Sequence, residues 1–159
     1  MASNAGRGYV NFNPDSEEFS LSPEQAAVFA REGEPTCIQG LVQGVVGQFV
    51  KEDVAIDVFK TGRGRPWGEH HECCFCGTER FFRPAYAGHL LGEWIPAMDG
   101  VQEKLKKGAK VADIGCGLGT SSMLMAEEFP NSIVHAYDFH GPSIEEACLL
   151  YTSDAADDP

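Results

Sequence analysis

The run Lys110-Val111-Ala112-Asp113-Ile114 leads straight into Gly115-Cys116-Gly117-Leu118-Gly119. Glycines at alternate positions let a backbone turn sharply and leave no side chain between it and a bound ligand. A second extended run ends at Asp138, twenty-five residues after Asp113. An acid at that strand tip faces the ribose of a nucleoside held over the glycine loop and accepts hydrogen bonds from its hydroxyls. Dinucleotide sites need G-x-G-x-x-G, because the third glycine supports helix packing beside the pyrophosphate. Here residue 120 is threonine and the third glycine falls one place early, at Gly119, giving D-x-G-x-G-x-G.

The elements needed to hold these groups follow from the surrounding pattern. Lys110 to Ile114 reads as a buried-type strand, Thr120 to Phe129 as a helix, and Ser132 to Asp138 as a second strand. A further helix begins at Ser143, with Glu146 three residues on as a capping box. This order predicts a parallel βαβ unit. Upstream, Gly8 to Leu21 alternates around Asn13-Pro14-Asp15-Ser16 and predicts a hairpin. Ser22-Pro23-Glu24-Gln25 opens a helix that Gly33 ends, and Thr36 with Gln39 repeats the capping signature. The helix that follows carries Ile38, Leu41, Val42, Val45, Val46 and Phe49 at three-and-four spacing, an apolar face suited to core packing or to a second subunit. Its Gly40, Gly44 and Gly47 admit a close neighbour. Residues 61–68 read as a flexible connector, and a helix runs from about Tyr86 with Leu90, Leu91, Trp94, Ile95 and Met98 on one side. Gly100 to Lys107 is a short helix or turn that Gly108 ends.

The D-x-G-x-G-x-G loop resembles motif I of the class I S-adenosylmethionine-dependent methyltransferases, whose ligand has no pyrophosphate. The likeness extends to Thr78-Glu79-Arg80-Phe81-Phe82-Arg83-Pro84-Ala85-Tyr86-Ala87-Gly88-His89 and to Phe139-His140-Gly141-Pro142-Ser143-Ile144. Together with Val111–Gly119, these resemble a bacterial subfamily that places a winged-helix domain ahead of the methyltransferase domain. The resemblance covers essentially residues 8–147. It implies an α/β chain in which a partial Rossmann-like methyltransferase domain (the first βαβα) follows a helical region and the remnant of a winged-helix domain. It divides the chain into a wing hairpin at 1–21, a helical linker, dimerisation and lid region at 22–107, the start of the methyltransferase domain at 108–147, and a tail at 148–159. By position, it implies that Asp113 braces the loop near the methionine amino group. Gly115, Cys116 and Gly117 then line the methionyl and ribose portions, and Gly119 forms the loop's exit. Asp138 holds the ribose hydroxyls, Phe139 packs beside the adenine, and Tyr86 closes over the cofactor from upstream. The cofactor implied is S-adenosyl-L-methionine and the partner a small-molecule methyl acceptor, with a homodimer in the full-length protein. Substrate-facing residues of this fold come from later strands, so no catalytic residue is assigned. With two strands of a larger sheet, weak cofactor binding and no turnover are expected. An NAD(P)-dependent oxidoreductase and a nucleotide-sensing winged-helix regulator stand as alternatives; protection by NAD favours the first, a basic face the second.

A net charge of −12, with one basic cluster at Lys104, Lys106, Lys107 and Lys110, makes the chain a poor candidate for binding nucleic acid through phosphates, and no nucleic-acid partner is expected. No apolar run approaches the roughly 20 residues needed to span a bilayer, and no signal-type segment opens the chain, so a cytoplasmic protein is expected. Cys73, Cys74 and Cys76 crowd beside His70 and His71, but zinc takes ligands from two separated pairs, and no second pair follows. No metal is expected. The stretch 148–157 resembles the in-frame translation of a transposon-type sequencing adapter, and its acidic residues break the pattern of the preceding helix.

Overall fold

The structure, a computed structural model, describes residues 1–154. A short helix, α1 (Ala2–Gly6), precedes the expected hairpin, in which β1 (Asn11–Asn13) pairs antiparallel with β2 (Glu18–Ser20). The turn is held by Asn13, whose side-chain oxygen accepts from the Asp15 amide at 2.9 Å. The helix α2 (Pro23–Phe29) opens with the full capping box: Ser22 Oγ accepts from the Gln25 amide, and Gln25 Oε1 accepts from the Ser22 amide. It stops at Phe29 rather than at Gly33, which lies in the following turn at φ +96°. The second capping box does not form. The helix α3 (Gln39–Val50) begins with no side-chain cap, because the Gln39 amide is used elsewhere. Its Nε2 donates to the Phe29 carbonyl at 2.7 Å and its Oε1 accepts from Arg80.

The face of α3 that packs is the reverse of the one its apolar spacing predicts. Helix α4 (Glu52–Thr61) and a 3-10 turn (Trp67–Glu69) follow α3, and then α5 (Glu72–Ala85) lies against it. The two helices meet through glycine. A Cβ added at Gly77 would sit 2.3 Å from the Gly44 amide nitrogen, and one at Gly40 would sit 2.5 Å from the Phe81 nitrogen. Without side chains there, the backbones approach closely, and hydrophobic spacing no longer decides which face is covered. Leu41, Val42, Val45, Val46 and Phe49 are exposed instead, as are Ile56 and Phe59 on α4. Arg80 locks the pair by donating to Gln39 and Gln43 of α3 and to Glu32 in the turn before it.

At Pro84 the ladder loses one N–H donor, and from Tyr86 to Trp94 the helix widens into π-type turns, with the Ile95 amide donating to the Leu90 carbonyl. The wide turns carry Leu90, Leu91 and Ile95 into the main core, where Ile95, Leu105 and Phe129 are buried with Val111 and Met125 against them. Upstream helices and the βαβ unit therefore share one core across residue 108. Helix α6 (Val101–Lys107) ends at Gly108, φ +107°, as expected. Then come β3 (Lys110–Ile114), α7 (Thr120–Glu128), β4 (Ile133–Tyr137) and α8 (Gly141–Asp154). β3 and β4 pair in parallel, Asp113 opposite Ala136 and Ile114 opposite Tyr137, which bears out the βαβ reading. Ser143 is not the cap of α8, which starts two residues earlier, and its hydroxyl bonds to His140 Nδ1 at 2.8 Å. The helix runs on past Cys148 to Asp154; the rest of the expected tail, 155–159, lies outside the described residues. Among the described residues no helix is long and apolar enough to cross a membrane.

Candidate functional site

The parallel register brings the glycine loop and Asp138 together at neighbouring strand ends. The Gly115 and Cys116 amides both donate to the Tyr137 carbonyl, so the loop is anchored to β4 as it leaves β3. Gly115, Gly117 and Gly119 have φ of +81°, +56° and +82°, conformations that residues with a Cβ rarely adopt. A Cβ at Gly115 or Gly117 would meet nothing within 4 Å, so open space lies in front of the loop. Asp138 reaches across the gap: one oxygen accepts from the Gly117 amide at 2.9 Å, the other from the His140 amide at 2.8 Å. A carboxylate accepts about four hydrogen bonds, so each oxygen keeps one position for a ligand hydroxyl.

A cavity of about 170 Å³ lies over this loop. Gly115, Cys116, Gly117, Leu118, Thr120, Asp138 and Ser143 form its floor, and Trp67, Phe75, Thr78, Glu79, Phe82 and Tyr86 form its roof. Two carboxylates and no lysine, arginine or histidine stand in the lining. The roof is held by a row of ring contacts, Trp67 edge-on to Phe75 with centroids 5.3 Å apart and Phe75 tilted against His140 at 4.4 Å, and by Thr120 Oγ1 donating to Glu79 at 3.0 Å. Burial pushes the Cys116 thiol above its usual range, helped by the Asp113 and Asp138 charges, so it sits in the floor as a small neutral group.

Of the residues expected at the site, Gly115, Cys116, Gly117, Asp138 and Tyr86 line this cavity. Asp113 does not. Its Oδ2 accepts from Ser121 and Ser122 at 2.6 and 2.8 Å, which ties β3 to the first turn of α7. Gly119 forms the N-terminal boundary of α7 and faces a different, apolar gap of about 290 Å³ between α7, β4 and α8. Phe139 is 78 % exposed and outside the lining; the aromatic walls come from Trp67, Phe75 and Phe82 instead. These three, with Thr78 and Glu79, escaped the sequence reading. Thr78, Glu79 and Phe82 sit in the string that carries the family likeness, and Phe75 in the cysteine cluster beside it. Cys74 of that cluster accepts from Gln48 Nε2, and among the described residues no three His, Cys, Asp or Glu side chains could hold a metal ion. No protein-family model matches this chain, and a comparison with curated proteins finds no match either.

Proposed function

We propose that the chain binds S-adenosyl-L-methionine over the glycine loop and serves a methyltransferase through that site. The observation that carries the reading is the charge of the lining. Two carboxylates and no cation stand in the lining, with Arg83 meeting Glu79 from outside it. A lining without a cation suits a ligand with a sulfonium and an ammonium better than a pyrophosphate. This weighs against the nicotinamide alternative. The residues present fit the group: Gly115 and Gly117 leave room for it, and Asp138 has one acceptor position free on each oxygen for the two ribose hydroxyls. When bound, the cofactor supplies an electrophilic methyl carbon to a nucleophile on a small-molecule acceptor. The chain's own contribution is positioning. Asp138 and the loop fix the nucleoside, the roof aromatics exclude water, and the neutral Cys116 thiol fills the floor without adding charge.

In this reading β3 to α8 are the first βαβα of a Rossmann-like methyltransferase domain, and the β1–β2 hairpin is the wing of a winged-helix domain. Helices α3 and α4 expose Leu41, Val42, Val45, Val46, Phe49, Ile56 and Phe59, with Phe59 91 % and Phe49 72 % exposed, and we propose that two copies meet there. The cavity, at about 170 Å³, is smaller than the roughly 300–1,000 Å³ of most ligand sites, so it encloses only part of the ligand.

Trp67 in the roof reports occupancy. In a Trp94→Phe variant, S-adenosylhomocysteine is expected to quench the remaining emission saturably, with a Kd in the range of about 0.1–1 mM. NAD at the same concentrations leaves it unchanged. Equal quenching by both, or quenching by NAD alone, contradicts the reading.

A further inference from the structure

We propose that Glu79 is the carboxylate that receives the ammonium group of the ligand's methionyl portion, the place otherwise expected of Asp113. The proposal rests on the S-adenosylmethionine reading above. Asp113 is outside the cavity and occupied by two serine hydroxyls. Glu79 is the only acid in the lining besides Asp138, and its side chain is 12 % exposed. The two acids meet the loop at different points, Asp138 at its middle and Glu79 at its exit. Asp138 bonds the Gly117 amide, and Glu79 bonds the Thr120 hydroxyl where the loop becomes α7. A ligand whose ribose is held by Asp138 therefore meets a second negative group further along the loop.

The acceptor count leaves room for it. Glu79 Oε1 accepts from Thr120 Oγ1 and Arg83 Nε, and Oε2 accepts from a terminal nitrogen of Arg83, so one position on Oε2 is open. Arg83 approaches from outside the cavity and is 55 % exposed. Arg83 holds both Glu79 oxygens from outside, so a cation inside the cavity must share the carboxylate with it, and Arg83 competes with the ligand's ammonium.

The test compares three ligands on the full chain by ligand-observed NMR titration: S-adenosylhomocysteine, decarboxylated S-adenosylmethionine, and methylthioadenosine, which has the nucleoside but no ammonium. Glu79→Gln is expected to weaken the first two at least tenfold and methylthioadenosine less than twofold. Arg83→Gln, at an exposed position, keeps Glu79 and removes its outer partner. It is expected to leave methylthioadenosine unchanged and to strengthen the two ammonium-bearing ligands two- to fivefold. If Glu79 were only a strut for Arg83, both variants would weaken all three ligands alike, and that result overturns the proposal. So does unchanged binding of the ammonium ligands to Glu79→Gln. Failure of the unsubstituted chain to bind any of the three instead overturns the reading of the site itself.

Discussion

Replacing Gly77 by alanine is expected to separate α3 from α5 and to lower stability by about 2 kcal/mol. The added Cβ would lie 2.3 Å from the Gly44 nitrogen and 2.6 Å from the Gly40 carbonyl oxygen. Both are backbone atoms, so no rotamer change relieves the contact and the helices must move apart. Overpacking of this kind costs about 1–3 kcal/mol or more, against a gain of about 1 kcal/mol in helix propensity. Gly44→Ala is the internal control on the facing helix. A Cβ there meets nothing within 4 Å, so only the propensity gain remains, and stability rises by up to about 1 kcal/mol. Urea unfolding followed by far-ultraviolet circular dichroism measures both. Gly77→Ala also displaces Thr78, Glu79 and Phe82 from the roof, so ligand binding falls with stability. Equal midpoints for the two variants would mean that α3 and α5 do not touch through glycine.

Asp138→Ala is expected to have the larger effect on function, a loss of roughly 100-fold in affinity for S-adenosylhomocysteine. The carboxylate has two tasks. It holds the Gly117 and His140 amides, which shape the loop and the start of α8, and it offers its free acceptor positions to the ribose. Losing two charge-assisted hydrogen bonds to the ligand at about 1.5 kcal/mol each gives that factor. Asp138→Asn keeps one acceptor oxygen, but its amide group faces a backbone N–H, donor against donor. It falls between the alanine variant and the parent protein. Isothermal titration or competition NMR reads the series, and equal affinity across all three proteins would remove Asp138 from the site.

What was legible in the sequence is what depends on short-range pattern. The strand, glycine turn, helix and strand between Lys110 and Tyr137 each carry their own signals, and the parallel pairing follows from their order. The Ser22–Gln25 capping box formed for the same reason: every partner lies within one helical turn. The failures are long-range. Thr36 and Gln39 have the same spacing, yet Gln39 is drawn to the Phe29 carbonyl and Arg80. In α3 the apolar spacing was clear and pointed outward, because backbone contact at Gly40 and Gly77 decided which face is covered. Helix α5 was hidden by its own composition. Glu72-Cys73-Cys74-Phe75-Cys76-Gly77 has the small residues that close packing needs, but its cysteines and glycine are poor helix formers. Since α5 and the turn before it build the cavity roof, the missed helix and the missed residues Trp67, Phe75, Thr78, Glu79 and Phe82 are one omission.

The central claim is that one adenosine-bearing ligand lies between the glycine bend and Asp138, under the roof of α5. Intermolecular nuclear Overhauser contacts between S-adenosylhomocysteine and the labelled protein test it most directly. Contacts from the ribose protons to the Gly115 and Gly117 amides, and from the nucleoside to the Trp67 or Phe82 ring, are the predicted result. Ligand contacts confined to the apolar gap between α7 and α8, or to the exposed face of α3, would contradict it.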